Sequence, residues 1–271
     1  MYGAIAGDMI GSVYEFNSIK TTEFPLFSRR SHFTDDTVMT VAVAEALMET
    51  ADLSDLAAVR AAVVKSMQRW GRKYHDAGFG GTFYHWLDKR DPKPYGSFGN
   101  GSAMRVSSVG WLAGDADQVK ELARATADVT HDHPEGVKGA QATAAAIYMA
   151  RKGKTKDEIR KVIEDEYGYD FSRSLAEIRP HYHFEVSCQK SVPEAILCFF
   201  EGDSYESVVR NAVSLGGDAD TQAAIAGAIA EAYYGIPEEI VKEARNRLPE
   251  DMQAVADAFR ERIKATPDPE K

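Results

Sequence analysis

The chain has few features of secreted or membrane proteins. It contains two cysteines among 271 residues, Cys188 and Cys198, and their spacing matches no metal motif. This excludes a disulfide framework and predicts two free, buried thiols. Every apolar run is interrupted by charge before 18 residues, and the first residues lack the basic region and apolar core of a signal peptide. We therefore expect a cytoplasmic protein with no membrane partner.

Positive charge is also scarce. The formal net charge is −10, whereas nonspecific binding to nucleic acid needs arrays of Lys and Arg. This argues against a nucleic-acid partner, although a phosphate ligand remains compatible if backbone amides or metal ions neutralise it. A hydrophobic fraction of 44% is typical of a globular protein. Because no linker divides the chain, residues 1–271 are expected to form a single domain, and we expect a monomer.

Alternation with period two is almost absent, whereas helical spacing recurs throughout, which predicts an all-α fold with one compact multi-helix domain. Helices are indicated at about 37–50, 54–72, 136–152, 205–214, 221–234, 238–247 and 250–264. Three more are predicted after the capping boxes Asp115-x-x-Gln118, Thr155-x-x-Glu158 and Ser191-x-x-Glu194. Pro237 and Pro249 predict short breaks before the last two helices.

Two acidic clusters, Thr34-Asp35-Asp36-Thr37 and Asp218-Ala219-Asp220-Thr221, each precede a helix rich in small residues. Hard divalent cations such as Mg²⁺ and Mn²⁺ prefer carboxylate and hydroxyl oxygens of this kind. The alternative is simple helix capping, for which Asp and Thr are also favoured. A cap needs only one oxygen, and each cluster supplies several. If the two helix N-termini converge, they form a site for one or two metal ions.

Residues 94–104, PYGSFGNGSAM, place three glycines and two serines before a helical or turn segment. Such a loop can cradle a diphosphate with its backbone amides, although most loops of this composition are plain turns. His131-Asp132-His133 is either a metal cluster or one polar contact followed by a connecting loop. Imidazole favours softer metals than Mg²⁺, so we do not assign it to the oxygen site. His181 and His183 are interpreted as loop surface.

Five motifs in order resemble the ADP-ribosylglycohydrolase family, which includes the dinitrogenase-reductase-activating glycohydrolase and the ADP-ribosyl-arginine and ADP-ribosyl-serine hydrolases. The resemblance runs from about residue 3 to 235. The motifs are Gly7-Asp8-x-x-Gly11 with Glu15, Thr34-Asp35-Asp36-Thr37, Gly99-Asn100-Gly101 with Ala103-Met104-Arg105, Thr130-His131, and Asp218-x-Asp220-Thr221.

The resemblance implies an all-α fold with two Mg²⁺ or Mn²⁺ ions in an ADP-ribose cleft, at converging helix N-termini. The implied metal ligands are Thr34, Asp35, Asp36, Asp218, Asp220 and Thr221, with Asp220 bridging and Asp8 supporting them from behind. The implied catalytic residues are Glu15, Asp35 and Asp220, with Glu15 as general base. The implied substrate-binding residues are Ser97, Phe98, Gly99, Asn100, Gly101, Ser102, Met104 and His131, with Phe98 stacking on adenine.

The implied activity is hydrolysis of the glycosidic bond that joins ADP-ribose to a protein side chain or a small molecule. The sequence leaves the leaving group open among arginine, serine, acetyl and nucleobase linkages. Residues 16–31 are expected to form a mobile flap over that group. Two alternatives also stay open: a noncatalytic ADP-ribose-binding or structural family member, and a helical metal-dependent phosphohydrolase.

Overall fold

Fifteen helices make up residues 1–265, the part of the chain that the computed structural model describes. In that part no strand forms, and a single isolated antiparallel bridge joins Gly99 to Ser187. The helices are α1 (Tyr2–Gly11), α2 (Asp35–Glu49), α3 (Leu56–Lys73), α4 (Gly81–Leu87), α5 (Gly101–Met104), α6 (Ser107–Leu112), α7 (Ala116–Ala127), α8 (Pro134–Arg151), α9 (Lys156–Tyr167), α10 (Leu175–Ile178), α11 (Cys188–Glu201), α12 (Tyr205–Ser214), α13 (Ala219–Tyr234), α14 (Glu238–Asn246) and α15 (Glu250–Ala265).

The all-α prediction is confirmed, and each helix indicated by spacing is present within a few residues of its predicted bounds. Helices α1, α4, α6 and α10 were not predicted. Three of these are short, and α1 contains three glycines, which are poor helix formers on their own. Tertiary packing therefore decides the structure of these segments more than local propensity does.

The three predicted capping boxes have different outcomes. The box at Thr155 is confirmed, because Thr155 and Glu158 exchange both of its hydrogen bonds. Asp115 caps α7 by accepting from Gln118 N at 2.8 Å, but the Gln118 side chain accepts from Gly114 N instead. The Ser191 box is wrong, because Ser191 lies inside α11 and its hydroxyl donates to the Ser187 carbonyl. Helix α11 begins at Cys188 without a side-chain cap, which leaves no sequence signal for its start.

Helix α13 is the central helix of the fold, and it packs against α1, α8, α11 and α12. Its residues Ala219–Ala230 are all buried, as are residues 36–44 of α2. This confirms that the two helices rich in small residues lie inside the protein. A buried position for both helices fixes their N-termini within the core, where the acidic clusters lie.

Helices α1 and α13 approach closely because glycine lines the contact. A methyl group on Gly7 would lie 2.1 Å from the Ala223 carbonyl oxygen, and one on Gly11 would lie 2.4 Å from that of Ala219. Gly3 faces Gly227 in the same way, so one glycine per turn of α1 meets the backbone of α13. A side chain at these positions would force the helices apart. We call this contact the α1–α13 seam.

Two other predictions from the sequence can be compared with the described residues. Cys188 and Cys198 are both buried and free, as expected. No helix in residues 1–265 has both the length and the apolar character needed to cross a membrane.

Candidate active site

The two acidic clusters meet where α2 and α13 begin. The Thr221 hydroxyl donates to Asp36 Oδ2 at 3.1 Å, across 185 residues of sequence. Both residues are buried, as are Asp218 and Asp220. The predicted convergence of the two helix N-termini is thus present in the structure.

Helix capping accounts for only part of this arrangement. Thr34 is the N-cap of α2, and its hydroxyl accepts from Asp36 N at 3.3 Å. Asp218 is the N-cap of α13, but its side chain forms no capping bond and accepts instead from Asn100 Nδ2 at 2.7 Å. Asp36 Oδ1 is buried and has no hydrogen-bond partner within residues 1–265. Carboxylate oxygens thus remain available for a ligand.

Asp8 holds the start of α2 in place. Its carboxylate accepts hydrogen bonds from the backbone amides and the hydroxyls of both Thr34 and Thr37. Asp8 directly follows Gly7, so the close approach of α1 to α13 at the α1–α13 seam also determines where Asp8 lies. This agrees with the supporting role implied for Asp8, although its oxygens also lie close enough to Asp36 and Asp220 to share a cation.

Two groups of three carboxylates have oxygens within 4.8 Å of one another, Asp8 with Asp36 and Asp220, and Glu15 with Asp218 and Asp220. Asp220 belongs to both groups, which is the position expected for a bridging ligand. Oxygen donors at such separations suit hard divalent cations. The residues present therefore fit the implied metal ions.

Burial and mutual repulsion change the acidity of these groups. Burial, followed by the charge of Asp220, raises the pKa of Asp35 and Asp36 well above the usual range. Burial, followed by Asp218 and Asp8, does the same to the pKa of Asp220. Burial raises the pKa of Asp218 to about 6, and burial with Asp220 raises the pKa of Glu15 to about 8. A bound cation would relieve this repulsion.

The acidic residues line one wall of a cavity of about 610 Å³. We call this the acidic wall, formed by Glu15, Asp35, Asp36, Asp218 and Asp220. Residues 96–101, which we call the glycine loop, line a second part of the same cavity. The bond from Asn100 to Asp218 joins the two parts. A ligand in this cavity can therefore contact both of them at once.

The glycine loop is fastened by its own hydrogen bonds. Gly96, with φ of +70°, donates its amide to Asp132 Oδ1 at 2.6 Å, and Gly99 N donates to Ser97 Oγ at 3.2 Å. The bridge to the start of α11 adds a bond from Asn100 N to Val186 O at 2.7 Å. The loop is thus shaped before any ligand enters.

Aromatic rings and a buried histidine stand beside the glycine loop. His131 Nε2 would be 3.2 Å from a methyl group on Gly101. This supports the interpretation of His131 as a polar contact. Its two neighbours have other roles, because Asp132 accepts the Gly96 amide and His133 is the N-cap of α8. Phe98 is 48% exposed at the cavity surface, with its ring 5.4 Å from that of His133. His181 and His183 are exposed, as predicted.

Two of the predicted site residues lie outside the cavity lining. Thr34 turns its hydroxyl to Asp8, at 2.8 Å. Ser102 is fully buried, and its hydroxyl donates to the Gly136 carbonyl at 2.7 Å. The other predicted residues all line the cavity, and these are Glu15, Asp35, Asp36, Ser97, Phe98, Gly99, Asn100, Gly101, Met104, His131, Asp218, Asp220 and Thr221.

Sequence reasoning missed several residues of the lining. Gly78, Gly80 and Gly81 border the cavity together with Phe184 and Val186. Gly78 lies beside the Asp35 carboxylate, and the Asp35 amide donates to the Ala77 carbonyl at 2.8 Å. The spacing of the three glycines could have marked a second glycine loop, whereas nothing in the sequence around Phe184 and Val186 signals a site.

The segment of residues 16–31 is attached more firmly than a mobile flap requires. Lys20 Nζ donates to the carbonyls of Tyr182 and Leu215. Arg210 donates to the carbonyls of residues 22 and 24, and Arg247 to those of residues 28 and 31. Next to Glu15, Phe16 is 80% exposed and stacks on Phe184 with ring centroids 6.1 Å apart.

Comparison with known proteins decides the family. The family model described as ADP-ribosylglycohydrolase matches residues 1–269. The chain belongs to the ADP-ribosylglycohydrolase family. It is 26% identical to the ADP-ribosylhydrolase ARH3 of Mus musculus, over 96% of this chain and 86% of that protein. It is also 26% identical to the ADP-ribosyl-(dinitrogen reductase) glycohydrolase of Rhodospirillum rubrum, over 75% of this chain and 69% of that protein.

A solved structure agrees with this membership. The chain of an ADP-ribosylglycohydrolase-related protein complex superposes with a TM-score of 0.70 at 25% identity, covering 95% of this chain and 94% of that one. The helical arrangement described above is therefore the fold of the ADP-ribosylglycohydrolase family.

Proposed function

We propose that the protein is a metal-dependent hydrolase that cleaves the glycosidic bond between ADP-ribose and a protein side chain or small-molecule acceptor, releasing ADP-ribose. The observation that carries this proposal is the shared cavity. It brings five carboxylates and a preformed glycine loop to the same ligand. Membership of the ADP-ribosylglycohydrolase family supports the same reaction.

Asp35, Asp36, Asp218, Asp220 and Thr221 would hold two Mg²⁺ or Mn²⁺ ions, with Asp220 shared between them. Asp8 and Thr34 would keep these ligands in position through the hydrogen bonds between them. When bound, such ions acidify water and orient the ribose hydroxyls. The unpartnered oxygen of Asp36 and the two carboxylate groups that meet at Asp220 support this assignment.

Glu15 would act as general base. Its carboxylate lies at the cavity surface beside Asp218 and Asp220, so it can accept a proton from water that attacks the ribose carbon. Cleavage of a glycosidic bond builds positive charge on the sugar ring. Asp35 and Asp220 would contribute to catalysis by holding the ions that acidify the attacking water.

The glycine loop would bind the diphosphate and ribose through residues 97–101. Phe98 would stack on the adenine, because its half-exposed ring lies at the cavity surface, and His131 and Met104 would contact the ligand from the same side. For Ser102 only the backbone would take part, since its hydroxyl is bonded to Gly136.

The decisive experiment is product analysis with ADP-ribosylated arginine, ADP-ribosylated serine and O-acetyl-ADP-ribose, each with Mg²⁺ and with Mn²⁺. Release of free ADP-ribose from any of the three supports the proposal and identifies the leaving group. AMP plus ribose phosphate would instead indicate a phosphohydrolase. Binding of ADP-ribose without any product would indicate a noncatalytic family member.

A chelation experiment tests the metal requirement separately. Turnover should stop after exhaustive chelation and return when Mg²⁺ or Mn²⁺ is added, because all of the proposed ligands are hard oxygens. Full activity in a sample shown by elemental analysis to be metal-free would contradict the assignment of these carboxylates.

A further inference from the structure

A chain of three residues leads from the protein interior to the glycine loop. Arg105 is 1% exposed and donates from Nη2 to the Thr126 carbonyl at 3.0 Å and to the Thr130 hydroxyl at 2.9 Å. The Thr130 hydroxyl lies 2.7 Å from His131 Nδ1. These contacts determine which atom is the donor in each hydrogen bond between Arg105, Thr130 and His131.

A guanidinium group can only donate hydrogen bonds, so the Thr130 oxygen accepts from Arg105. The single hydroxyl proton of Thr130 then has two possible acceptors, His131 Nδ1 at 2.7 Å and the Ala127 carbonyl at 3.4 Å. The Ala127 carbonyl already accepts from two backbone amides, those of Thr130 and His131. The shorter bond to Nδ1 is therefore favoured, which leaves the ring proton on Nε2.

The Nε2 atom faces the cavity beside the glycine loop. It would lie 3.2 Å from a methyl group on Gly101 and 3.5 Å from one on Gly99, and His131 is 5% exposed. Within residues 1–265, the only hydrogen bond of the imidazole ring is the one made by Nδ1. Burial and the charge of Arg105 hold the pKa of His131 well below its usual value, so the ring stays neutral.

Within residues 1–265, Arg105 forms no ion pair with a carboxylate, and its hydrogen bonds go to the Thr126 carbonyl and the Thr130 hydroxyl. Its Nε is buried without a hydrogen-bond partner among the described residues. A buried cation without a counter-charge is unfavourable. An anion in the adjacent cavity would supply that counter-charge.

Resting on the proposed function, we propose that Arg105 acts through Thr130 to hold His131 as a neutral Nε2–H donor to a phosphate oxygen of bound ADP-ribose. Arg105 and Thr130 act through His131 and are positioning residues in this arrangement, although Arg105 also borders the cavity. The ligand class that this arrangement recognises is a diphosphate next to a ribose, and an uncharged nucleoside would gain nothing from it.

The first test reads the tautomer directly in the ligand-free parent protein. Protonated and unprotonated ring nitrogens have well-separated ¹⁵N chemical shifts, and His131→Gln identifies the signals of His131 among the seven histidines. We expect a protonated Nε2 and an unprotonated Nδ1. A proton on Nδ1 would overturn the proposal, whatever reaction the protein catalyses.

The second test compares Thr130→Val, which keeps the shape but removes the hydroxyl, with Thr130→Ser, which restores it. Thr130→Val should give a mixture of tautomers and weaken ADP-ribose binding by about 10-fold, as expected for one lost hydrogen bond to a charged group. Adenosine binding should not change, and Thr130→Ser should behave like the parent. Unchanged ADP-ribose affinity, or an equal loss for adenosine, would contradict the proposed relay from Arg105 through Thr130 to His131.

Arg105→Met should show the same mixture of tautomers, because Thr130 then has a free lone pair for an Nδ1 proton. A folded Arg105→Met protein with a single Nε2–H tautomer would contradict the role of Arg105. Failure of the parent protein to bind ADP-ribose would contradict the proposed function instead, so the two failures can be told apart.

Discussion

The two walls of the cavity are prepared for their ligands in opposite ways. The glycine loop is held by hydrogen bonds between partners that attract one another, such as Gly96 N with Asp132. The acidic wall holds like charges together in a buried place, where burial and repulsion raise the pKa of each carboxyl. Its geometry must therefore come from the surrounding packing, above all the α1–α13 seam, and from neutral donors such as Thr221 and Asn100. One wall is complete without its ligand, and we propose that the other is stabilised by binding a cation.

The largest expected effect comes from removing one charge of the acidic wall. Asp220→Asn should reduce activity by about 10³-fold or more, because metal-ion catalysis contributes several kcal/mol. Without metal, the same variant should melt at a higher temperature than the parent, because one repelling charge is gone. Calorimetric metal titration and melting curves with and without Mg²⁺ measure both effects. If Asp220→Asn binds metal like the parent, the Asp218–Thr221 cluster stabilises only the start of α13 and is not a metal site.

Widening the α1–α13 seam should disturb the acidic wall and spare the glycine loop. Gly7→Ala places a methyl group 2.1 Å from the Ala223 carbonyl oxygen, and we expect a loss of about 3 kcal/mol in the free energy of unfolding. Gly114→Ala is the matched control, since the nearest atom, at 3.5 Å, belongs to the flexible Gln118 side chain. Chemical denaturation measures both variants. Equal stability of the two would show that the seam can relax.

Glu15→Gln separates chemistry from binding on the acidic wall. The substitution keeps the shape of the side chain but removes the proton acceptor, so kcat should fall by roughly 10²-fold, as the loss of a general base does. Binding of ADP-ribose should not change, which isothermal titration can verify next to the kinetic assay. A variant with unchanged kcat would require another base in the cavity.

The smallest effect is expected at the glycine-loop wall. Phe98→Ala should weaken ADP-ribose binding by about 1 to 3 kcal/mol through lost stacking on the base. Metal binding and the melting temperature should stay the same, because the ring is half-exposed and distant from the core. Tyr84→Ala is a useful control, since that ring is also exposed, at 41%, but does not line the cavity. Equal losses in the two variants would argue against stacking by Phe98.

The sequence predicts the parts of the protein whose signals are local. Helices α2 and α13 are marked by acidic starts and runs of small residues, and both lie where those signals indicate. Helix α1 was not predicted, because its glycines disfavour a helix locally and are explained only by their close contact with the backbone of α13. The capping box predicted at Ser191 was wrong because α11 begins earlier, at Cys188, where no side chain caps the helix.

The missed features of the site have the same origin. The bond from Asn100 to Asp218, the turning of Ser102 towards Gly136 and the relay from Arg105 to His131 all join residues distant in sequence. No local pattern encodes such contacts. The resemblance to the family supplied the residue roles, whereas the directions of the side chains required the structure.

The α1–α13 seam also has a consequence for the order in which this protein is made. The seam and the Asp36–Thr221 bond join α1 and α2 to a helix that is synthesised much later, 185 positions apart in the second case. Contacts of such long sequence separation form late, because closing a long loop comes before any gain from the contact. During synthesis, Asp8, Glu15 and Asp36 must therefore wait for α13. A metal ion held by these carboxylates together with Asp220 would therefore report that α13 is in place.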